Sequence, residues 1–301
     1  MSVSQAIYSL IAIATIIIGL LILSRISLIG KKVVLYVFLI SLSVIMIMPF
    51  YWMFVLSTHP TSSIFSSPPP FWFGDHLFIN FSNVLESVDI IGSYFNSIIV
   101  SGTHTLLVLL FCSMGGYAFA MYRFPGREKL FAILLITMMI PWTAGIVPWF
   151  AMMSRFGWLD NFLALIIPNA ANAFGIFWMR QYCQNNVPLS LIDAAKIDGC
   201  SEWLIFFRIV APILLPGFSA LGIMVFVSSW NDFIQPLLIL RDIELHTLPL
   251  MLSYMLGDPI RGTDMGALML ANTLSILPLL IAFLTASKYF MSGLTAGAIK
   301  E

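Results

Sequence analysis

Residues 187–203 have the sequence VPLSLIDAAKIDGCSEW, a polar segment between two strongly apolar ones. Pro188 suits the first position of a helix, and the residues after it favour a helix as far as Ile197. Gly199 then supplies a turn and a left-handed helix cap. Because Ser201 is well suited to cap a second helix, the segment predicts two helices joined by a tight glycine turn.

The first of these helices has a face of small and aliphatic residues. Leu191 and Ile192 lie four and three residues before Ala195, so these side chains share a helix face. Ala194 and Ala195 leave a shallow surface that another protein can approach closely. Two interpretations fit this pattern: a docking surface for a partner, or an amphipathic connector that packs on its own helical bundle.

The chain as a whole has the composition of a membrane protein. Of its 301 residues, 60% are hydrophobic and 9% are charged, and the mean hydropathy is +0.98. A soluble domain with so few charges could not cover its surface with polar groups, so the apolar excess is expected to face lipid. The net charge is zero and there is no long run of like charges, so the composition does not indicate nucleic-acid binding.

The cysteines indicate neither a metal site nor a disulfide framework. Cys112, Cys183 and Cys200 are isolated in the sequence, which has no CxxC pair and no cysteine–histidine cluster. We interpret them as unpaired thiols, and we expect this chain to bind no metal.

Several apolar segments are long enough to cross a membrane, which takes about 20 residues in a helix. They are residues 3–24, 33–57, 94–122, 129–153, 161–181, 207–229 and 267–288. The first segment follows no lysine or arginine and ends without a small-residue cleavage site, so it is predicted to be a retained helix. Residues 58–92 contain three consecutive prolines and are predicted to be a loop. The sequence thus predicts an all-α fold, a polytopic transmembrane helical bundle of about seven spans.

Lysine and arginine indicate the orientation of this bundle, because they are retained on the cytoplasmic side. If the linker after the first span is cytoplasmic, eleven of the 14 basic residues lie on that side, leaving Arg155, Arg241 and Arg261 on the other. The bias predicts an N-terminus outside and a C-terminus in the cytoplasm. It also places the segment at 187–207 in the cytoplasm.

That segment resembles the EAA motif of ABC-importer permeases, in which Glu-Ala-Ala is followed by Asp-Gly, then Ala, and later by Phe, Ile and two prolines. The matching positions are Asp193, Ala194, Ala195, Asp198, Gly199, Cys200, Phe207, Ile209, Pro212 and Pro216. Asp193 stands where the motif has Glu and keeps the charge on a shorter arm, and Cys200 stands where it has the slightly smaller Ala. The resemblance implies that the first six of these residues form a loop that couples the permease to an ATPase.

The resemblance extends over roughly residues 40–301 and is closest to the shorter permease of maltose-type carbohydrate importers. The landmarks that carry it are Pro49-Phe50-Tyr51-Trp52, Phe78-Ile79-Asn80-Phe81, Asn96-Ser97, Gly116-Tyr117-Ala118-Phe119-Ala120, Phe124-Pro125-Gly126-Arg127, Trp230-Asn231-Asp232-Phe233 and the ending at 293–300. It implies a six-helix permease core at 33–301 with the coupling loop at 187–207. Residues 1–32 are then an extra N-terminal transmembrane helix and a cytoplasmic linker.

The same resemblance implies partners and a location. They are a second, longer permease subunit, two cytoplasmic ATPase subunits, an extracytoplasmic sugar-binding protein and the lipid bilayer of a bacterial inner membrane. The chain has no G-x-x-x-x-G-K-[ST] phosphate loop, so it is expected to be no enzyme and to bind no cofactor itself. ATP and Mg²⁺ are expected in the partner ATPase.

A sugar that crosses such a bundle must exchange hydrogen bonds to water for hydrogen bonds to protein, so its path should carry amides, hydroxyls and aromatic faces. The candidates within the spans are Asn96, Asn169, Asn172, Ser228, Ser229, Asn231, Asn272 and Thr273. Each could equally make hydrogen bonds between helices. His104 is expected to do the same rather than relay protons, whereas Asp232 fits either a functional acid or a residue at the wet interface.

Other functions fit the sequence less well. A secondary transporter or channel predicts charged pairs or repeats within the spans, and neither is visible. A membrane enzyme predicts clustered histidines or acids, but the four histidines are scattered. An ABC permease for glycerol phosphate or a polyol is a closer alternative to one for an oligosaccharide.

Overall fold

The computed structural model describes residues 28–256 and 263–298, and all regular structure in those residues is helical. The transmembrane helix predicted at 3–24 lies outside the described residues. The helices are α1 (Leu28–Leu56), α2 (Thr61–Ile64), α3 (Leu77–Ser87), α4 (Ile90–Met121), α5 (Arg127–Thr137), α6 (Trp142–Arg155), α7 (Leu163–Ile166), α8 (Ala173–Asn186), α9 (Leu189–Ile197), α10 (Glu202–Ile213), α11 (Leu215–Trp230), α12 (Ile234–Ile239), α13 (Leu248–Met255) and α14 (Met265–Ala298). An all-α, polytopic helical fold is therefore confirmed.

The chain divides into two compact units, Met1–Val55 and Leu56–Glu301. In the first unit, α1 is an uninterrupted apolar helix that includes Pro49, as predicted for the segment at 33–57. The second unit contains every other helix named here, and the functional features described below lie wholly within it.

Three helices in the described residues are long and apolar enough to cross a membrane: Lys32–Leu56, Ile90–Met121 and Met265–Ser287. These agree with three of the predicted spans. Two further predicted spans, 129–153 and 207–229, are each a bent pair of helices, so the described part has five spans if each pair counts as one.

Both bends lie at prolines within the predicted spans. The pair α5 and α6 turns through 88°, and Pro141 immediately precedes α6. The pair α10 and α11 turns through 79° between Pro212 and Pro216. Proline lacks the amide hydrogen that a continuous helix needs, and it disfavours helical geometry in the residue before it.

The predicted span at 161–181 is also wrong as a single helix. It consists of the four-residue α7, a turn that contains Pro168, and α8. With 14 residues, α8 is about 21 Å long at 1.5 Å per residue, short of the roughly 30 Å that a membrane crossing needs. The side chain of Asn172 starts α8 by accepting a hydrogen bond of 2.7 Å from the backbone N–H of Gly175.

The centre of the second unit is the contact between α4 and α8, which depends on glycine. A Cβ atom added at Gly116 would lie 2.6 Å from the Cβ of Met179 and 2.6 Å from the backbone nitrogen of Arg180. A Cβ added at Gly175 would lie 2.6 Å from the sulfur of Cys112. Both distances are far inside van der Waals contact, so the two backbones approach closely because no side chain intervenes.

We expect Gly116→Ala to destabilise the folded chain by about 1–3 kcal/mol, because the added methyl group must displace α8. The measurement is the thermal unfolding midpoint of the detergent-solubilised protein. Gly102→Ala is the matched control, since Gly102 lies in the same helix and a Cβ there meets nothing within 4 Å. Equal midpoints for the two variants would contradict the close contact.

Candidate functional site

The segment singled out in the sequence forms the predicted helix, turn and helix. Helix α9 begins after Pro188 and ends at Ile197, where the N–H of Gly199 donates to the carbonyl of Lys196 at 3.1 Å. Gly199 has a φ angle of +78°, in the left-handed region that favours glycine. The side chain of Ser201 then accepts a hydrogen bond from the backbone N–H of Leu204 and caps α10.

Two residues of α9 attach it to the rest of the bundle. Ile192 and Ala195 are 4% and 5% exposed and pack in one cluster with Ile205 and Phe206 of α10. This corrects the expectation that both alanines of the segment form an open surface, because Ala195 is buried against its own chain. Ala194 is exposed, as predicted.

The rest of α9 is exposed and carries both apolar and charged side chains, the latter being those of Asp193 and Lys196. Ile197 is 87% exposed, and Leu189 and Leu191 are also exposed. Of the predicted coupling residues, Asp193, Ala194, Asp198 and Gly199 are exposed and Cys200 is half-buried. One face of α9 therefore packs on the bundle, as the connector interpretation predicts, and the docking interpretation stays a prediction for the exposed face.

Charged and aromatic groups tie this segment to the end of α4. The ammonium group of Lys196 forms a salt bridge of 2.9 Å with Glu202 and lies 5.2 Å from the ring centroid of Tyr122. The hydroxyl of Tyr122 donates to the other carboxylate oxygen of Glu202. The hydrogen bond to Glu202 raises the pKa of Lys196, and burial raises the pKa of Tyr122. Glu202, just after the turn, is thus bonded both to Lys196 of α9 and to Tyr122 at the end of α4.

The surroundings of Gly199 allow its backbone role to be tested by itself. A Cβ at Gly199 meets nothing within 4 Å in this chain, so its substitution costs only backbone strain here. We expect Gly199→Asn to fold nearly as well as wild type and Gly199→Val to lower the unfolding midpoint clearly, because Asn tolerates the left-handed conformation and Val does not. Indistinguishable midpoints for the two variants would contradict this assignment.

The second feature is a cavity of about 620 Å³ within the bundle. It lies among α4, α6, α8 and α11. Its lining residues are His104, Trp142, Gly145, Trp149, Leu165, Asn169, Asn172, Phe174, Met224, Val225, Ser228, Ser229, Asp232 and Gln235. This size is within the range of about 300–1,000 Å³ that is usual for small-molecule sites.

Half of the predicted path residues line this cavity. They are Asn169, Asn172, Ser228 and Ser229. Three of the remaining four donate hydrogen bonds to carbonyls of their own helices: Asn231 to Val227, Asn272 to Leu268 and Thr273 to Met269.

Asn96, the fourth, donates to the carbonyls of Glu244 and His246 at 2.8 and 3.1 Å. Asn96 thus bonds to another segment, in line with the alternative of hydrogen bonds between helices, whereas the other three residues bond one turn back along the chain.

Sequence reasoning missed the aromatic part of the lining. Trp142 and Trp149 lie seven residues apart on α6, so they share one helix face. That face borders the cavity just after the bend at Pro141. Phe174 adds a third aromatic ring.

Several polar groups of the cavity lining have hydrogen-bonding capacity that a ligand could use. The indole N–H of Trp149 is buried and has no hydrogen-bond partner among the described residues. His104 donates through Nδ1 to the carbonyl of Ile166 at 2.9 Å, a bond between elements as expected, and this leaves Nε2 free to accept. The hydroxyls of Ser228 and Ser229 complete an amphipathic lining of aromatic faces and hydrogen-bonding groups.

Comparison with known proteins identifies the family. Residues 113–295, which include α9 and most of the cavity lining, match the binding-protein-dependent transport system inner membrane component family. The chain belongs to this family. It is a permease subunit of an ABC importer, a membrane protein that works with other ABC components and a substrate-binding protein.

Individual relatives agree with this membership. The chain is 40% identical to the arabinooligosaccharides transport system permease protein AraQ of Bacillus subtilis over 69% of this chain and 73% of that protein. It is 34% identical to the lactose transport system permease protein LacG of Rhizobium radiobacter over 84% of this chain and 91% of that protein. Among solved structures, it resembles a bacterial ABC transporter involved in the import of the acidic polysaccharide alginate, with a TM-score of 0.76, 25% identity, and coverage of 88% and 99% of the two chains.

Proposed function

We propose that this permease translocates a carbohydrate, an oligosaccharide, across the bacterial inner membrane. The observation that carries the proposal is the lining of the cavity. Aromatic rings such as Trp142 and Trp149 suit the apolar faces of sugar rings, and amides and hydroxyls such as those of Asn169 and Ser228 suit their hydroxyl groups. The named relatives that transport arabinooligosaccharides and lactose support the same substrate class.

The assembly we propose has the composition that the EAA resemblance implies. A longer permease lies beside this chain, two ATPase subunits lie in the cytoplasm with α9 facing them, and a sugar-binding protein delivers substrate from outside. ATP and Mg²⁺ bind to the ATPase subunits, and this chain contributes no ATP chemistry. The orientation rests on the distribution of lysine and arginine, which favours a cytoplasmic α9.

The contacts of α9 suggest how motion of the ATPase would reach the cavity. The exposed side of α9 docks on the ATPase, and its buried side, through Ile192 and Ala195, packs on α10. Helix α10 leads through the bend into α11, which carries Ser228 and Ser229 on the cavity wall. A displacement of α9 would therefore move one wall of the cavity, a rigid-body switch between two states.

A glycerol-phosphate substrate is less well supported by the cavity. Its lining in the described residues includes no lysine or arginine, the groups that usually bind phosphate. A secondary transporter is also less well supported, because the lysine and arginine ion pairs among the described side chains are made to Glu128 and Glu202, which lie in the first turns of α5 and α10.

Reconstitution tests the proposed function directly. In vesicles with the longer permease, the ATPase and the binding protein, we expect uptake of a radiolabelled oligosaccharide such as arabinotriose and ATP hydrolysis that the loaded binding protein stimulates. Vesicles with this chain alone should show neither activity. Uptake by the chain alone, driven by a proton or sodium gradient, would reject the proposal in favour of a secondary transporter.

The docking role of α9 has its own test in the complex. We expect Ile197→Asp to lower co-purification of the ATPase by at least about tenfold, because it replaces the most exposed apolar side chain of the docking helix with a charge. Ile197→Leu is the matched control and should retain the ATPase. Since Ile197 is 87% exposed, the unfolding midpoint of either variant chain should equal that of wild type. Full ATPase binding by Ile197→Asp would show that α9 is a connector.

A further inference from the structure

Asp232 is an acid that neither the coupling segment nor the predicted path accounts for. It follows the last residue of α11, Trp230, by two positions and lines the cavity, where it is half-buried. One of its carboxylate oxygens accepts a hydrogen bond of 3.3 Å from the backbone N–H of Gln235 at the start of α12. The carboxylate is therefore held in position at the wall of the cavity and not directed freely into water.

The lining in the described residues includes no lysine or arginine that could pair with this carboxylate. The only other titratable group of the lining is His104, which is near enough to interact electrostatically with Asp232 and whose Nδ1 donates to the carbonyl of Ile166. In a partly desolvated cavity, a carboxylate without a lysine or arginine partner acts over several ångströms and is weakly screened.

We propose that Asp232 determines the charge specificity of the cavity, a proposal that rests on the proposed carbohydrate function. Its carboxylate accepts hydrogen bonds from hydroxyl groups of a neutral saccharide, which are donors at any position around the ring. The same carboxylate repels a uronate or a sugar phosphate, whose negative charge would enter the cavity with no cation to meet it. The substrate class is thus a neutral oligosaccharide.

The groups that usually bind anionic saccharides support the assignment of a neutral substrate. An anionic saccharide is normally bound by arginine or lysine, which form charge-assisted hydrogen bonds with carboxylate or phosphate. The cavity has instead one acid and a set of amide, hydroxyl and aromatic groups. By contrast, the solved transporter that this chain resembles is involved in the import of an acidic polysaccharide.

The test uses the complete assembly in nanodiscs without the binding protein, so that the permease cavity is the site measured. Equilibrium dialysis compares two probes of equal length, the neutral arabinotriose and the anionic trigalacturonate. The variants are Asp232→Asn, which removes the charge but keeps the shape, and Asp232→Lys, which reverses the charge. Asp242→Asn is the matched control, because Asp242 is an exposed acid that does not line the cavity.

We expect wild type and Asp242→Asn to bind arabinotriose and to bind trigalacturonate at least about tenfold more weakly. Compared with wild type, Asp232→Asn should bind arabinotriose a few-fold more weakly and trigalacturonate at least about tenfold more tightly. The gain in affinity for trigalacturonate should be larger in Asp232→Lys. Trigalacturonate binding that is equal in wild type and Asp232→Asn would overturn the proposal. If wild type bound neither probe, the carbohydrate function would be rejected and the charge specificity with it.

Discussion

The close contact between α4 and α8 is the constraint on which both functional features depend. Gly116 and Gly175 let the two backbones meet without intervening side chains. From that contact α8 continues directly into α9, and α4 contributes His104 to the cavity and ends beside Tyr122, which holds Glu202. The docking helix and the substrate cavity are therefore attached to one rigid pair of helices, so a force applied to the first has a short mechanical route to the second.

The local signals in the sequence predicted local structure well. The helix and turn at 187–203 depend on short-range chemistry, in which Gly199 and Ser201 act as expected and Pro188 lies one position before the first residue of α9. The bends could not be predicted in the same way. Proline shows where a backbone donor is missing, but the angle between α5 and α6 depends on what the two helices pack against, which hydropathy does not report. The contribution of Trp142 to the cavity was missed for that reason.

Residue type by itself was a weaker guide to the cavity. An amide or hydroxyl within a span can reach a solute, bond across helices, or bond to a carbonyl one turn earlier in its own helix. Asn231, Asn272 and Thr273 do the last of these, whereas Ser228 and Ser229 face the cavity. The sequence contains no signal that separates these outcomes, because they depend on the rotation of each helix about its axis.

Asn172 does two things at once: its side chain closes the first turn of α8 through Gly175, and it also borders the cavity. We expect a residue with both roles to vary little in evolution, since any replacement that suits a new solute must also start a helix. The side-chain cap of α8 does not involve the side chains of Asn169, Ser228 or Ser229. Divergence in substrate preference among descendants of this chain should accumulate at those three positions, while position 172 stays within the few residue types that begin helices.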